Sequence, residues 1–138
     1  MLSVYVGGSF DLFHAGHVNL LASAKRLAEI VIVAVNSDKF FEYYRGYPPT
    51  IPEDQRLKIV QACRYVDFTF IMPDHTHQQP VLRALRPTYI LHGDDWIGES
   101  LLEQLGISES FLKETGIELK YVPYTKDVSS TAIRKKLS

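Results

Sequence analysis

The sequence predicts an α/β fold built around a parallel β-sheet, on the evidence of two patterns. Short segments rich in β-branched and aromatic residues recur along the 138 residues, and stretches with one apolar helical face separate them. Strands that alternate with helices form right-handed βαβ units, which leave the strands parallel and cover both faces of the sheet. We therefore expect a single Rossmann-like domain over residues 1–138, with five parallel strands and helices on both faces.

Five segments have the composition of buried strands. They are residues 2–6 (LSVYV), 30–35 (IVIVAV), 67–72 (DFTFIM), 89–92 (YILH) and 118–122 (ELKYV). Each segment has the usual length of a strand and is too short to be one of the longer amphipathic helices.

Helices are predicted between and after these strands, at residues 15–28, 53–65, 78–85, 100–115 and 129–137. Pro52 favours the start of the second helix, Gly116 is placed to end the fourth, and Ser129 is an N-cap candidate for the last. The segment 40–52 has aromatic residues around Arg45 and three prolines. We interpret it as a semi-rigid loop that could cover a site.

Charge and cysteine content exclude several classes of protein. The formal net charge is −1 and the pI is about 6.5, so binding to nucleic acid or to an anionic membrane is not expected. Cys63 is the single cysteine, which suits a reducing compartment. His75 and His77 have no cysteine partner, so no metal site is predicted. Signal-peptide and membrane-span patterns are absent, and the expected location is the cytoplasm.

A glycine-rich turn follows the first strand and leads into the first helix. The backbone N–H groups of Gly7 and Gly8 can approach a phosphate closely, and the helix N-terminus adds the positive end of its dipole. His14 and His17 are three residues apart, so both rings lie on one helix face and can donate to the same phosphate. The G-x-G-x-x-G and P-loop patterns are both absent. The turn therefore predicts an anion site of another type.

Two more segments place polar groups at a strand end or a helix start. Ser130 and Thr131 open the last helix and offer hydroxyl and N–H groups to phosphates, or Ser129 and Ser130 simply cap the helix. Asp94 and Asp95 follow the fourth strand, where carboxylates can accept hydrogen bonds from an amine or ribose, or form a turn. Trp96 either walls a pocket or only packs.

A ligand that carries a phosphate requires cationic side chains nearby. Lys39, Arg45 and Arg56 are the candidates in this sequence. Arginine can hold a phosphate through two parallel hydrogen bonds.

Five segments along nearly the whole chain share a known pattern: Gly8-Ser9-Phe10-Asp11 with His14-Ala15-Gly16-His17, then Gln55-Arg56, Arg64-Tyr65-Val66-Asp67, His92-Gly93-Asp94-Asp95-Trp96 and Ser129-Ser130-Thr131. Together they resemble the HxGH nucleotidyltransferases. The HxGH motif is shared with adenylyltransferases, whereas segments 64–67 and 92–96 look like those of cytidylyltransferases in particular.

The resemblance implies transfer of CMP from CTP to a small phosphate- or phosphonate-bearing acceptor, with release of pyrophosphate and with Mg²⁺ bound to the CTP. The implied catalytic residues are His14, His17, Arg45, Ser130 and Thr131. The implied nucleotide-binding residues are Gly8, Ser9, Phe10, Asp11, Gly16, His92, Gly93, Asp94, Tyr124, Thr125 and Ser129. The implied acceptor-binding residues are Lys39, Arg56, Asp67, Asp95 and Trp96. A homodimer is expected, because such interfaces lie near segment 64–67 in the family.

The closing motif departs from the usual cytidylyltransferase pattern. Tyr124 stands where the family commonly has arginine, and Asp127 stands where it has glycine. The ending looks more like that of phosphonate-pathway cytidylyltransferases, so a phosphonate or a phospho-alcohol is the expected acceptor.

Three alternatives stay open. One is a glycerol-3-phosphate cytidylyltransferase proper. Another is an adenylyltransferase acting on a sugar phosphate, because residues 10–38 also resemble heptose-phosphate adenylyltransferases. The last is a non-catalytic nucleotide-binding module, since the family's loop lysine is missing.

Overall fold

A five-stranded, all-parallel sheet forms the centre of the protein, as predicted. The computed structural model describes residues 1–93, 99–123 and 130–137. The strands are β1 (Ser3–Gly8), β2 (Ile30–Asn36), β3 (Phe68–Met72), β4 (Tyr89–Gly93) and β5 (Glu118–Val122). Their order in the sheet is β3-β2-β1-β4-β5, and every neighbouring pair is parallel. Successive strands are therefore added first to one side of β1 and then to its other side, and the order reverses between β1 and β4. Ligands bind at this point in open α/β sheets.

Seven helices are described: α1 (Ala15–Leu27), α2 (Asp38–Arg45), α3 (Glu53–Gln61), α4 (Gln78–Leu85), α5 (Glu99–Leu105), α6 (Glu109–Thr115) and α7 (Ser130–Leu137). A short 3₁₀ turn, His75–His77, precedes α4. Within the described part of the chain, no helix is both long enough and apolar enough to span a bilayer.

The two faces of the sheet carry different helices. Successive residues of a strand point to opposite faces, and Val4 and Val6 of β1 pack with apolar residues of α1 and α3 on one face. Tyr5 lies on the other face and packs with apolar residues of α2, α4, α5 and α6. Of these helices, α1 on the first face and α2, α4 and α5 on the second reach the carboxyl edge of the strands.

Helix α2 replaces the first half of the loop predicted over residues 40–52. The side chain of Ser37 accepts a hydrogen bond from the N–H of Phe40 at 3.0 Å, which caps the helix start. Gly46, with a φ of +79°, ends the helix in the left-handed conformation that glycine adopts most easily. Arg45 is therefore the last residue of a helix rather than part of a loop.

The single helix predicted over residues 100–115 is in fact two helices, α5 and α6. Gly106 has a φ of +66° and ends α5. Ser108 starts α6, because its Oγ accepts a hydrogen bond from the N–H of Phe111 at 3.1 Å. Gly116 ends α6, as predicted. The break matters because it places the end of α5 beside α2 and α4.

Candidate active site

A cavity of about 610 Å³ lies at the carboxyl edge of the sheet. Its walls come from the ends of β1, β2, β4 and β5, from the starts of α1 and α7, and from α2, α4 and α5. Its volume is in the range of small-molecule sites. The predicted catalytic residues all line this cavity: His14, His17, Arg45, Ser130 and Thr131. Of the predicted nucleotide-binding residues, Gly8, Ser9, Phe10, Asp11, Gly16 and His92 line it as well.

The two histidines cap the start of α1. Nδ1 of His14 accepts a hydrogen bond from the backbone N–H of Gly16 at 3.0 Å. Nδ1 of His17 accepts one from the backbone N–H of His14 at 3.1 Å. The two imidazole rings stack with their centroids 3.9 Å apart. This reciprocal arrangement is a capping box made of imidazoles, and it fixes both rings in place.

The capping bonds also fix the protons on the two rings. Because Nδ1 is an acceptor in each, the neutral form of each ring carries its hydrogen on Nε2. Burial lowers the pKa of His14. Burial, and next the neighbouring His14, lower the pKa of His17 to about 3. Near pH 7 both rings are therefore neutral and each has one N–H donor, at Nε2, to offer to a ligand.

The turn between β1 and α1 is strained and is held by bonds from distant segments. Phe10 and Leu12 have φ values of +54° and +51°, which is unfavourable for residues other than glycine. A Cβ atom on Gly8 would lie 3.1 Å from the Phe10 ring, so any larger residue there would push against that ring. The carbonyl oxygen of Ser9 accepts a hydrogen bond from Nη1 of Arg56 at 2.8 Å. The rest of the chain thus holds this turn in its shape.

Asp11 is the second anchor of the turn. Its carboxylate is buried and accepts hydrogen bonds from the N–H groups of Thr50 and Ile51, both at 2.9 Å, and from the Arg134 guanidinium. Burial acts to raise the pKa of Asp11, but these hydrogen bonds outweigh it and lower the pKa. The carboxylate is therefore charged near pH 7, and it joins the segment before α3 and the helix α7 to the turn.

Helix α7 reaches the turn through two of its side chains. The hydroxyl of Ser130 donates to the carbonyl oxygen of Asp11, so its hydrogen is already used and its backbone N–H is the donor left for a ligand. Arg134 lines the cavity, and its guanidinium lies 5.6 Å from the ring centroid of Phe41 and 5.7 Å from that of Tyr47. The sequence analysis missed Arg134. Its position four residues after Ser130, on the same helix face, was the signal that could have found it.

The opposite wall of the cavity comes from α2, α4 and α5. Gln78 is only 5% exposed, and its Nε2 donates to the carbonyl oxygen of Gln104 at 2.7 Å. The Tyr44 hydroxyl donates to the same carbonyl at 3.4 Å. Arg45 lies nearby on α2, exposed, with its guanidinium 6.0 Å from the centroid of the Phe41 ring. We call Arg45, Gln78 and Gln104 the amide flank, and His14, His17, Ser130 and Thr131 the histidine flank.

Arg56 does not lie at the cavity, and this corrects its prediction as a ligand for the acceptor phosphate. It is fully buried. Its guanidinium donates to the carbonyls of Ser9, Asn36 and Ile51 and to the carboxylate of Asp38, at 2.7 to 2.8 Å. These bonds occupy the guanidinium with protein groups, so Arg56 positions the loops around the site instead of contacting a ligand.

Lys39 and Asp67, also predicted to bind the acceptor, are not brought to the cavity. Lys39 is exposed on α2 six residues before Arg45, and residues six apart on a helix point in widely different directions. Asp67 lies just ahead of β3, at the amino edge of the sheet. There its carboxylate accepts hydrogen bonds from the N–H of Val31 and from Nζ of Lys25, both at 2.8 Å. Asp67 therefore ties structural elements together far from the cavity.

The remaining predicted residues fall in two groups. Gly93 is the last residue of β4 and pairs with Val122 of β5 at the carboxyl edge of the sheet. Six predicted residues lie outside the described part of the chain: Asp94, Asp95, Trp96, Tyr124, Thr125 and Ser129.

Comparison with known proteins places this cavity in a wider context. The chain is 37% identical over 131 residues to the bifunctional protein HldE of Streptomyces coelicolor, covering 94% of this chain and 27% of that protein. It is 31% identical over 136 residues to the ethanolamine-phosphate cytidylyltransferase of Dictyostelium discoideum, covering 96% and 35%. It is 31% identical over 131 residues to the FAD synthase of Pyrococcus abyssi, covering 95% and 88%. The chain thus spans about a quarter to a third of the first two proteins.

A solved structure and a family-wide comparison agree with these relationships. The lipopolysaccharide core biosynthesis protein from Thermoplasma volcanium has a TM-score of 0.71 and 26% identity, with 93% of this chain and 99% of that chain covered. The family described as cytidylyltransferase-like matches residues 5–136. On this evidence the chain belongs to the cytidylyltransferase-like family.

Proposed function

We propose that this chain transfers a nucleotidyl group from a nucleoside triphosphate, CTP in the first instance, to a small acceptor that carries a phosphate or phosphonate group. The observation that carries the proposal is the locked pair of neutral histidines, with one N–H donor each, at the positive end of helix α1 in the cavity wall. Such fixed donors suit the α-phosphate of a nucleotide, where charge is redistributed during the reaction.

In the proposed reaction an acceptor oxygen forms a bond to the α-phosphorus. The bond from that phosphorus to the bridging oxygen of the pyrophosphate breaks, and its electron pair leaves with the pyrophosphate. A phosphate or phosphonate oxygen is already anionic near pH 7, so no strong general base is needed. The work of the protein is then to position the two reactants and to stabilise the charge on the phosphates.

The residues of the histidine flank have separate tasks in this mechanism. The Nε2–H groups of His14 and His17 donate to oxygens of the α-phosphate. The backbone N–H of Ser130 and the side chain of Thr131, at the positive end of α7, bind the β- and γ-phosphates. Arg45 attracts the acceptor phosphate from the amide flank.

Mg²⁺ is proposed to arrive with the nucleotide. No group of three or more His, Cys, Asp or Glu side chains in the described ranges could hold a metal ion, and the Asp11 carboxylate is already engaged by Arg134 and two N–H groups. Magnesium that bridges phosphate oxygens needs few protein ligands. We therefore treat the magnesium–nucleotide complex as the substrate.

ATP is the second candidate for the nucleotide. CTP is favoured by the family to which the chain belongs and by the ethanolamine-phosphate cytidylyltransferase relative. ATP is favoured by the FAD synthase relative, because FAD contains an adenosine half. A phosphonate acceptor rests on the resemblance of the chain ending alone, and residues 124–129 of that ending lie outside the described part.

Pyrophosphate release is the test of this proposal. The protein would be incubated with Mg²⁺, with CTP or ATP, and with a panel of glycerol 3-phosphate, phosphoethanolamine, phosphocholine, a sugar phosphate and a phosphonate. We expect release that requires both CTP and an acceptor, with a new phosphoanhydride signal in the ³¹P NMR spectrum. Pyrophosphate release with ATP but not with CTP would identify ATP as the nucleotide substrate and contradict the choice of CTP. Nucleotide binding without release for any acceptor would contradict transfer and favour a binding module.

We also propose that the chain acts as a homodimer, in the cytoplasm, through the edge of β3. The first residue of that strand, Phe68, is 63% exposed, although it is a large apolar residue at a strand edge. Arg64 and Tyr65, joined by a side-chain hydrogen bond of 2.9 Å, lie beside it in sequence. Sedimentation of the wild type and of Phe68→Lys tests this proposal. We expect the wild type to be a dimer and Phe68→Lys to be a monomer, and a monomeric wild type would contradict the proposal.

A further inference from the structure

Residues 46–52 join α2, which ends at Arg45, to α3, and they form no helix or strand of their own. We call them the connecting segment. None of their side chains is buried, so burial of apolar surface does little to hold the segment in place. Its position, and with it the position of the end of α2, therefore depends on a few specific contacts.

The end of the connecting segment next to α3 is fixed by buried groups. The N–H groups of Thr50 and Ile51 donate to the carboxylate of Asp11, both at 2.9 Å. The carbonyl oxygen of Ile51 accepts a hydrogen bond from Nε of Arg56 at 2.7 Å. Asp11 and Arg56 are both buried, so this end is firmly bound to the turn between β1 and α1.

The end of the connecting segment next to α2 is held by Arg134 of α7. The guanidinium carbon of Arg134 lies 5.7 Å from the ring centroid of Tyr47 and 5.6 Å from that of Phe41. Both distances are within the limit of about 6 Å for cation–π contacts. Nε of Arg134 also donates to Oγ1 of Thr50 at 3.2 Å. One side chain of α7 therefore contacts the connecting segment at two points.

The same guanidinium is a partner of Asp11. Nη2 of Arg134 donates to the Asp11 carboxylate, which is buried. Withdrawing the partner of a buried charge is strongly destabilising, so we expect Arg134 to keep this position when a nucleotide binds. Nε and Nη2 are thus both engaged within the protein. This arrangement favours a role through the connecting segment over a role as a direct ligand of phosphate.

Phe41 links this contact to Arg45. Phe41 is buried on the helix that ends at Arg45, and its ring meets that of Tyr47 edge to face with the centroids 5.7 Å apart. The guanidinium of Arg45 lies 6.0 Å from the centroid of the same Phe41 ring. Arg45 and Arg134 both line the cavity. Without the contact from Arg134 to Tyr47, the end of α2 would lose a constraint on the direction of Arg45.

We propose that Arg134 is a positioning residue, which acts through Tyr47 and Phe41 to hold the end of α2 so that Arg45 faces the cavity. The inference rests on the proposed function for the role of Arg45 in binding the acceptor phosphate. In this role Arg134 acts without contacting the acceptor. Binding and amide hydrogen exchange test it separately from turnover.

The test uses two single variants, Arg134→Lys, which keeps the charge, and Tyr47→Leu, which leaves Arg134 in place, together with the double variant. Tyr47→Phe keeps the ring and is the matched control. Calorimetric titration gives the Kd of a non-hydrolysable analogue of CTP or ATP. Further titrations of the analogue-saturated protein use glycerol 3-phosphate, ribose 5-phosphate and phosphoethanolamine as probes. Hydrogen exchange is followed in the peptide that contains residues 46–51.

We expect each single variant to weaken the tightest-binding probe by about threefold to tenfold, the range for one cation–π contact. The double variant should be no weaker than the worse single variant, within about twofold, because both changes remove the same contact. The Kd of the nucleotide analogue should stay within about twofold of the wild-type value in every variant. Exchange of residues 46–51 should be faster in both single variants, and Tyr47→Phe should match the wild type in every measurement.

Three outcomes would overturn the inference. One is weaker binding of the nucleotide analogue in Arg134→Lys with unchanged probe binding in Tyr47→Leu, which would make Arg134 a direct ligand of phosphate. Another is faster exchange with unchanged probe binding, which would make the contact purely structural. The third is the absence of binding by every probe. The expected pattern of binding without pyrophosphate release would instead contradict the proposed transfer and leave this inference standing.

Discussion

The two flanks of the cavity are held in opposite ways. On the histidine flank, side chains and backbone groups are joined by hydrogen bonds that reach far along the chain, from Asp11 to residues 50 and 51 and to α7. On the amide flank, three helices meet at one carbonyl oxygen, that of Gln104, while the side-chain oxygen of the same residue has no partner in the described part of the chain. The anchoring groups of the first flank are bonded within the protein and leave only outward donors for a ligand, whereas the second flank keeps one buried acceptor without a donor among the described residues.

Under the proposed function, this difference would separate the part of the chemistry that all acceptors share from the part that varies between acceptors. Fixed donors suit the phosphates, because they need no reorganisation during the reaction. An incompletely satisfied wall suits the part of the ligand that distinguishes one acceptor from another. The relatives named for ethanolamine phosphate and for FAD handle different molecules, yet each aligns with nearly all of this chain.

Removing the Asp11 carboxylate should break the histidine flank and gives the largest expected effect. In Asp11→Ala, Arg134 and the N–H groups of Thr50 and Ile51 lose their acceptor, so we expect the free energy of unfolding to fall by about 3 kcal/mol. Urea unfolding measures it. Glu42→Ala, an exposed site on α2, is the control and should change stability by less than about 0.5 kcal/mol. A loss in Asp11→Ala as small as the control's would show that the carboxylate does not hold the turn.

Replacing His17 should impair the chemistry of the same flank. We expect kcat in His17→Ala to fall by roughly a hundredfold, as for the loss of one fixed donor to a developing negative charge. Steady-state pyrophosphate release measures kcat. His77→Ala is the control, because His77 is exposed and does not line the cavity. Unchanged turnover in His17→Ala would remove the phosphate role from this histidine.

Replacing Arg45 tests the amide flank with a smaller expected effect. In Arg45→Ala the KM for the acceptor should rise about tenfold while the KM for the nucleotide stays within about twofold. The KM of Arg45→Lys for the acceptor should lie between those of the wild type and Arg45→Ala, since lysine keeps the charge but not the paired hydrogen bonds. Lys39→Ala, on the same helix but outside the cavity, is the matched control. Equal changes of KM in Arg45→Ala and Lys39→Ala would contradict a specific role of Arg45 in binding the acceptor.

Much of the fold could be predicted because strand and helix patterns are local properties of the sequence. All five strands and the parallel sheet were predicted. Helix α2 was not predicted, because its aromatic residues and the prolines that follow it favoured a loop. Ser37 and Gly46 nevertheless carried the signals of a helix start and end. The break between α5 and α6 also had its signals, at Gly106 and Ser108. In both cases composition was given more weight than capping residues.

The site was predicted where a motif fixes position, and not where burial decides. His14 and His17 sit at a helix start that follows a strand, so their meeting at the cavity follows from the topology. Arg56 was predicted to bind the acceptor phosphate on the basis of its charge alone. Its guanidinium is in fact fully buried and hydrogen-bonded to protein groups. Gln104 could not be found from the sequence, because the helix was predicted to continue through its end.

The pH dependence of stability provides a last and smallest test of the histidine flank. The pKa of His17 is lowered to about 3 by burial, and next by His14, from an ordinary value of 6.5. Between these two pKa values the unfolded chain binds a proton that the folded protein does not. The contribution of His17 to the free energy of unfolding is therefore complete above pH 6.5 and decreases as the pH falls. Between pH 6.5 and 5.5 we expect Tm to fall by roughly 3 °C on account of His17. Thermal melts of the wild type and of His17→Asn measure this: a difference between the two slopes is expected, and parallel slopes would mean that His17 is not held neutral in the folded protein.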